Sequence, residues 1–248
     1  ARASDLLIAG CERVMAALVS LLDRTGIRIG NAEYTRQNHS YGLTTLQDRH
    51  AKIKGQTIQL QFKGKSGVLH KLELHDKRLA AIVAGCQDLP GQELFQYVNG
   101  DGTTHTVDSG MVNEYLREIS GQDITAKEFR TWHGTLRAAL NLSDTGHGEN
   151  QTQTKRNVVA AVKEVAAHLG NRPATCRKYY VHPVILESYA AGELVDNMAI
   201  GLVPKHRDFS PAESCLLSLL RRAAKQRRKR PVRSEAPVTR RAARARQA

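Results

Sequence analysis

The chain has 248 residues, 41% hydrophobic and 25% charged, with 37 Lys or Arg against 24 Asp or Glu and a formal charge of +13. This length supports one large domain or two small ones around a sizeable core, and the composition excludes a collagen-like, wholly disordered or disulfide-scaffold protein. So basic a chain points to a polyanionic partner, nucleic acid or an acidic membrane surface, without choosing between them.

In chain order, residues 4–24 read as a helix that Ser4 can cap, with Leu6, Leu7, Val14, Leu18, Leu21 and Leu22 at helical spacing and Gly26 ending it. A short helix fits Asn31–His39. The period then changes to two. Lys52–Lys54, Thr57–Phe62 and Val68–Leu74 predict a three-stranded antiparallel meander with Lys65 at a hairpin tip. The rest is mainly helical. Asp76 can cap a helix to Gln87, and Asp108 or Ser109 can start one to Ile119; residues 92–98 are ambiguous. Thr125-Ala-Lys-Glu128 is a capping box that opens a helix to about Leu140. Gln153–Leu169 is amphipathic and stops at Gly170, while Pro173 and Pro183 each suit a first helical turn. Ser210-Pro-Ala-Glu213 is a second capping box. The fold class is therefore mainly α with a small three-stranded antiparallel sheet.

The charge is unevenly placed. Residues 221–248 hold 12 Lys or Arg against one acid, leaving 25 against 23 in residues 1–220. Such a tail buries too little apolar surface to offset chain entropy, so disorder is expected past the last helix. The expected organisation is a domain over 1–208 and a helix with a basic tail over 209–248.

Several chemistries lack their residues. Cys11, Cys86, Cys176 and Cys215 show no CxxC spacing, and the ten histidines show no HExxH pair. No metal site is expected. Scattered cysteines suit a reducing cytoplasm. No apolar run approaches the roughly 20 residues that span a bilayer, and no signal peptide stands at the N-terminus. Gly64-Lys65-Ser66 imitates a phosphate-binding loop, but a strand follows it where that loop needs a helix.

Four stretches place cations or polar donors beside structural breaks. They are Arg24–Asn31, Phe62–Gly67, Lys127–Trp132 and Leu169–Pro183. With Gly42–Leu46, Leu74–Asp76, Gln87–Tyr97 and Lys155–Val159, they occur in an order that resembles the catalytic domain of type IB DNA topoisomerases. The resemblance covers about residues 5–192 and is nearest the bacterial and poxvirus-like branch. It implies the fold shared by these enzymes and the tyrosine recombinases, ATP- and metal-independent relaxation of supercoiled double-stranded DNA, no cofactor, and a monomer acting at the cytoplasmic nucleoid. Residue by residue, Tyr180 resembles the nucleophile that forms a 3′-phosphotyrosyl bond. Arg28 and Arg130 match the arginines that hold the nonbridging oxygens. Lys65 matches the general acid for the leaving 5′-oxygen. Asn171 stands where the poxvirus branch has histidine and bacterial members often have asparagine. Gly30 and Tyr34 match positions that touch phosphate. Relatives also carry an N-terminal clamp domain, which is expected to be missing here because only Ala1–Asp5 precede the stretch that resembles the catalytic domain.

Taken singly, each residue has a plainer reading: Arg28 a helix-end charge, Lys65 a solvated turn lysine, Arg130 the partner of an acid, Asn171 a helix cap and Tyr180 a core tyrosine. Their joint order overturns these readings. A second phenol, Tyr179, adjoins Tyr180, but consecutive helical residues point about 100° apart and cannot share one site; the following Val181-His182-Pro183 favours Tyr180. Two alternatives stand beside the topoisomerase. One is a tyrosine recombinase, disfavoured because Lys127 holds the first position of the usual His-x-x-Arg pair. The other is a non-enzymatic DNA-binding protein anchored by the tail.

Overall fold

The computed structural model describes residues 10–199 and 208–229. The chain divides into two compact units, Ala1–Asp196 and Asn197–Ala248. The boundary expected at residue 208 adjoins residues 200–207, outside the described set.

In the first unit, helix α1 (Cys11–Thr25) buries Val14, Met15, Ala17, Leu18, Leu21 and Leu22 on one face. The expected start at Ser4 lies outside the described residues. Gly26 ends α1 in the left-handed region, φ 59°, its N–H bonded to Leu22 O. Helix α2 (Ala32–Asn38) is capped by Asn31, whose side chain accepts the Tyr34 N–H.

Strands β1 (Ala51–Lys54), β2 (Thr57–Lys63) and β3 (Leu69–His75) form the expected antiparallel meander in the order β1-β2-β3. Ile58 pairs with Ile53 and Leu74, and Phe62 with His70. Ile58, Leu60 and Phe62 alternate inward and are buried. Strand β3 begins one residue late because Val68 O accepts the Gly64 N–H at 2.8 Å and closes the tip.

Helix α3 (Lys77–Gln87) starts at Asp76, which accepts the Leu79 N–H at 2.9 Å and takes Arg24 at 2.7 Å. One carboxylate thus caps α3 and ties it to the end of α1. The ambiguous stretch resolves into a hairpin of β4 (Gln96–Val98) and β5 (Thr104–Thr106). Its turn signal, Asn99-Gly-Asp-Gly102, is legible, but each strand has three residues, too few to show a period.

Helix α4 (Ser109–Ser120) is capped by Asp108, and α5 (Ala126–Thr145) by the Thr125–Glu128 box. Helix α5 outruns its expected end at Leu140 by five residues, because Leu142 is fully buried. Helix α6 (Gln151–Leu169) starts two residues early, on Asn150. Helices α7 (Pro173–Tyr179) and α8 (Pro183–Ala190) each begin on their proline. Helix α9 (Leu194–Met198) contains the division between the units. One apolar core joins α1, the sheet, α3, α4 and the start of α5.

In the second unit, α10 (Pro211–Lys229) opens on the expected box, with Ser210 N and Oγ donating to Glu213 Oε2 at 2.9 and 2.7 Å. It buries Cys215, Leu216 and Leu219. The helix continues into the basic segment as far as Lys229; the expected disordered tail beyond it lies outside the described residues. No helix among the described residues is long and apolar enough to cross a membrane.

A buried polar chain ties α6 and α8 to the α5–α6 loop. Gln153 Nε2 donates to Asn157 Oδ1, Asn157 Nδ2 donates to Tyr189 Oη at 2.7 Å, and Tyr189 donates to Gly146 O at 2.7 Å. Tyr189→Phe would strand the Asn157 N–H and the Gly146 carbonyl. We expect a loss of about 1–3 kcal/mol, measured by urea denaturation.

Candidate active site

The site is assembled from helix ends. Past Gly26 the chain runs without regular structure through Ile27, Arg28 and Ile29 to Gly30. The short turn at Leu43–Thr45 holds this run: Leu43 N–H donates to Arg28 O at 2.8 Å and Thr44 N–H to Ile29 O at 2.7 Å. The two backbones touch at Gly30 and Gly42. A Cβ on Gly42 would lie 2.4 Å from Gly30 Cα, and Gly30 itself adopts φ +107°. Only glycines permit this crossing, which presents Arg28.

Arg130 projects from α5 and is only 4% exposed. Among the described residues it has no carboxylate partner. Its Nη1 donates to Gly26 O at 2.6 Å and its Nη2 to Leu169 O at 2.7 Å, the carbonyl ends of α1 and α6. A cation suits both places, because helix C-termini carry partial negative charge. Burial, then the neighbouring Arg28, draw the Arg130 pKa below the ordinary arginine value, while Tyr180 pulls it up. His133 makes a parallel tie, its Nε2 donating to Asp23 O at 2.6 Å.

Helix α6 stops at Gly170, left-handed at φ 59°, so Gly170 rather than Asn171 is the cap. Asn171 Oδ1 instead accepts a short hydrogen bond from Arg28 Nη2, across 143 residues of sequence. The Asn171 Nδ2 and the Arg130 Nε are buried and have no partner among the described residues. They are donors without acceptors.

Tyr180 lies at the end of α7, half-buried, with its ring 5.1 Å from the Arg130 guanidinium carbon. Its backbone is clamped. Tyr180 N–H donates to Cys176 O at 2.9 Å, and Thr135 Oγ donates to Tyr180 O at 3.3 Å while accepting the His182 N–H. Gly134 makes room for it: a Cβ there would sit 2.4 Å from Tyr180 O. Tyr179 points elsewhere. It is 49% exposed, with Lys178 and Lys127 at 5.0 and 5.8 Å from its ring.

The structure therefore brings Arg28, Arg130, Asn171 and Tyr180 together. Lys65 stands outside this group, exposed at the β2–β3 tip with its Nζ 4.9 Å from the Tyr34 ring centroid. Gly30 immediately precedes Asn31, the α2 cap, whose side chain accepts the Tyr34 N–H. A guanidinium beside a phenol, with a second guanidinium next to the first, is a donor set that fits an oxyanion, since arginine forks match its oxygens and stabilise charge on them.

The sequence model of the family described as eukaryotic DNA topoisomerase I, catalytic core, matches residues 8–194. The chain belongs to the type IB DNA topoisomerases. Among its type IB relatives is DNA topoisomerase 1B of Acanthamoeba polyphaga mimivirus, 31% identical over 72% of this chain and 55% of that protein. DNA topoisomerase 1B of vaccinia virus (strain Copenhagen) is 24% identical over 65% of this chain and 49% of that protein. DNA topoisomerase 1 of Mycosarcoma maydis is 27% identical over 50% of this chain and 14% of that protein. The chain spans about half the length of these viral relatives. They are viral and fungal, so they support the poxvirus-like branch and give no support to the bacterial one. Membership of the type IB family favours neither the recombinase nor the non-enzymatic binder.

Three contributors escaped the sequence reading. Gly134 left a usable signal, a lone glycine inside a helix, which weakens that helix unless close packing requires it. Thr135 and His133 left none, because their partners lie 45 and 110 residues away. Gly134→Ala must displace Tyr180 from Arg130. We expect single-turnover cleavage to fall about 10²-fold while DNA binding holds, measured by adduct formation and gel shift.

Proposed function

We propose that this chain relaxes supercoiled double-stranded DNA by nicking one strand, allowing rotation and resealing. Tyr180 Oη attacks the scissile phosphorus, and its proton passes to solvent. The bond from phosphorus to the 5′-oxygen breaks, and Lys65 gives that oxygen a proton. Religation reverses each transfer. An unperturbed phenol has a pKa of about 10, so attack needs positive charge nearby; Arg28 and Arg130 supply it. Asn171 has no proton to exchange at neutral pH and contributes one neutral hydrogen bond. The phosphotyrosyl bond conserves the phosphodiester energy, so the cycle needs neither ATP nor a metal. In this reading Gly30 and Tyr34 contact the neighbouring backbone phosphate. The same reading takes the active species as a monomer, working at the nucleoid in the cytoplasm.

The observation that carries this reading is Arg130 beside Tyr180, with Arg28 acting on Arg130 and bonded to Asn171, and with Arg130 Nε and Asn171 Nδ2 buried and lacking acceptors among the described residues. A charged, hydrogen-bonding pocket left short of acceptors is built for an anion. The test is relaxation of supercoiled plasmid in EDTA without ATP, with detergent trapping of adducts. The wild type should relax the plasmid and form adducts. Tyr180→Phe should form none yet still bind DNA, and Tyr179→Phe should retain them. No relaxation and no adduct from the wild type would reject the enzyme reading; loss of adducts in Tyr179→Phe would move the nucleophile.

Residues 230–248 carry six Arg and one Glu. Their removal should flatten the salt dependence of DNA binding, since each neutralised phosphate contributes about 0.9 to the log–log slope. Cleavage of bound DNA should be unaffected. Binding titrations at several salt concentrations would show this, and an unchanged slope would remove the tail from the interface.

A further inference from the structure

We propose that His70 is a positioning residue whose ring sets the place of the Lys65 hairpin tip against the helix end that carries Asn171. The inference rests on the reading of Lys65 as proton donor to the leaving oxygen.

His70 lies on β3 directly opposite Phe62, and the two rings stack with centroids 5.0 Å apart and planes 16° from parallel. Phe62 is buried in the core, so it anchors one face of the imidazole. The ring edge reaches two glycines. A Cβ on Gly64 would lie 2.7 Å from its Cδ2 and Nε2, and one on Gly170 would lie 3.3 Å from Nε2. Gly64 immediately precedes Lys65, and Gly170 immediately precedes Asn171. A single ring, fixed to the core from behind, therefore spaces the residue before the proton donor from the residue before the phosphate ligand.

Among the described residues, the charged side chains around the ring, Arg28, Arg130 and Lys71, are positive. Burial first, then Arg130 and Arg28, hold the His70 pKa below its ordinary value. Lys71 and His168 line the cavity of about 190 Å³ that His70 shares with Arg130, and His50 lies on Phe62. No carboxylate lines that cavity among the described residues. The imidazole is thus neutral at neutral pH and acts as a shaped spacer, not as a proton carrier. Among the described residues, the Lys65 ammonium contacts the Tyr34 ring, over which it lies exposed. Its distance from the reacting oxygen depends on how the hairpin seats on α6, and an error of about 1 Å there is costly.

The test uses the full chain in single-turnover cleavage of two duplexes. One carries the natural 5′-oxygen at the scissile bond. The other carries a bridging 5′-sulfur, which departs as thiolate without a proton donor. His70→Ala should slow the oxygen duplex about 10–100-fold, yet cleave the sulfur duplex within about threefold of wild type, as Lys65→Ala should. Gly64→Ala, which drives a Cβ into the ring from the other side, should show the same oxygen-specific defect. His70→Phe keeps the stack and the volume and should restore most of the oxygen rate. Equal slowing on both duplexes in His70→Ala and Gly64→Ala, or no slowing in either, would overturn the proposal, because a general loss of structure spares neither substrate. A Lys65→Ala defect that sulfur fails to rescue would remove Lys65 as donor. A wild type with no adduct on either duplex would remove the enzyme reading itself. These results are distinguishable.

Discussion

The centre of this protein depends on one buried guanidinium. Arg130 bonds to the carbonyl ends of α1 and α6, Gly26 O and Leu169 O, and faces the ring of Tyr180 on α7. A charge so deeply buried is tolerable only if its desolvation is offset. Two helix C-termini do that, because their unpaired carbonyls and dipoles both favour a cation. In return the arginine joins three segments that lie far apart in sequence. The parts of the chain that present Arg28, Asn171 and Tyr180 are adjacent because Arg130 holds two of them and faces the third.

The offset is incomplete. Arg28 stands beside Arg130 and depresses its pKa, and no carboxylate pairs with either among the described residues. Asn171 satisfies part of Arg28 through its oxygen, which turns its own N–H groups away from that bond. The result is a cluster with more donors and more positive charge than the fold itself can use. Such a cluster gains from an incoming anion, and the proposed affinity for a phosphodiester would follow from its electrostatics. The bulk charge of the chain plays a different part. It lies mostly in residues 221–248 and acts over a Debye length, while the site acts through placed hydrogen bonds.

Close backbone contact gives this cluster its precision. Gly30 against Gly42 presents Arg28, Gly134 against Tyr180 O seats the phenol, and Gly64 and Gly170 admit the His70 ring. A methyl group on Gly42, Gly64 or Gly134 would force its neighbour to shift, whereas on Gly170 it would press the His70 ring by only a few tenths of an ångström. The glycines differ in kind. Gly30 and Gly170 need the left-handed region, whereas Gly134 sits in an ordinary helix and is glycine for space alone. The first kind marks a turn and is easy to suspect from sequence. The second becomes intelligible only when its neighbour is known.

Local chemistry was largely legible. The caps at Asp76, Asp108, Thr125–Glu128 and Ser210–Glu213, the proline starts of α7 and α8 and the three-stranded meander all follow from side-chain bonding and from period. These features need only a few consecutive residues, so the sequence alone determined them, as it determined the family through the order of its motifs. The β4–β5 hairpin escaped because three-residue strands carry no period, and the end of α5 because the burial of Leu142 overrides weak local propensity. The tertiary structure decided which phenol faces Arg130, why Asn171 meets Arg28 across 143 residues, and what His70 touches. Those are distances between segments, and nothing in the local bonding of one segment specifies where another will lie.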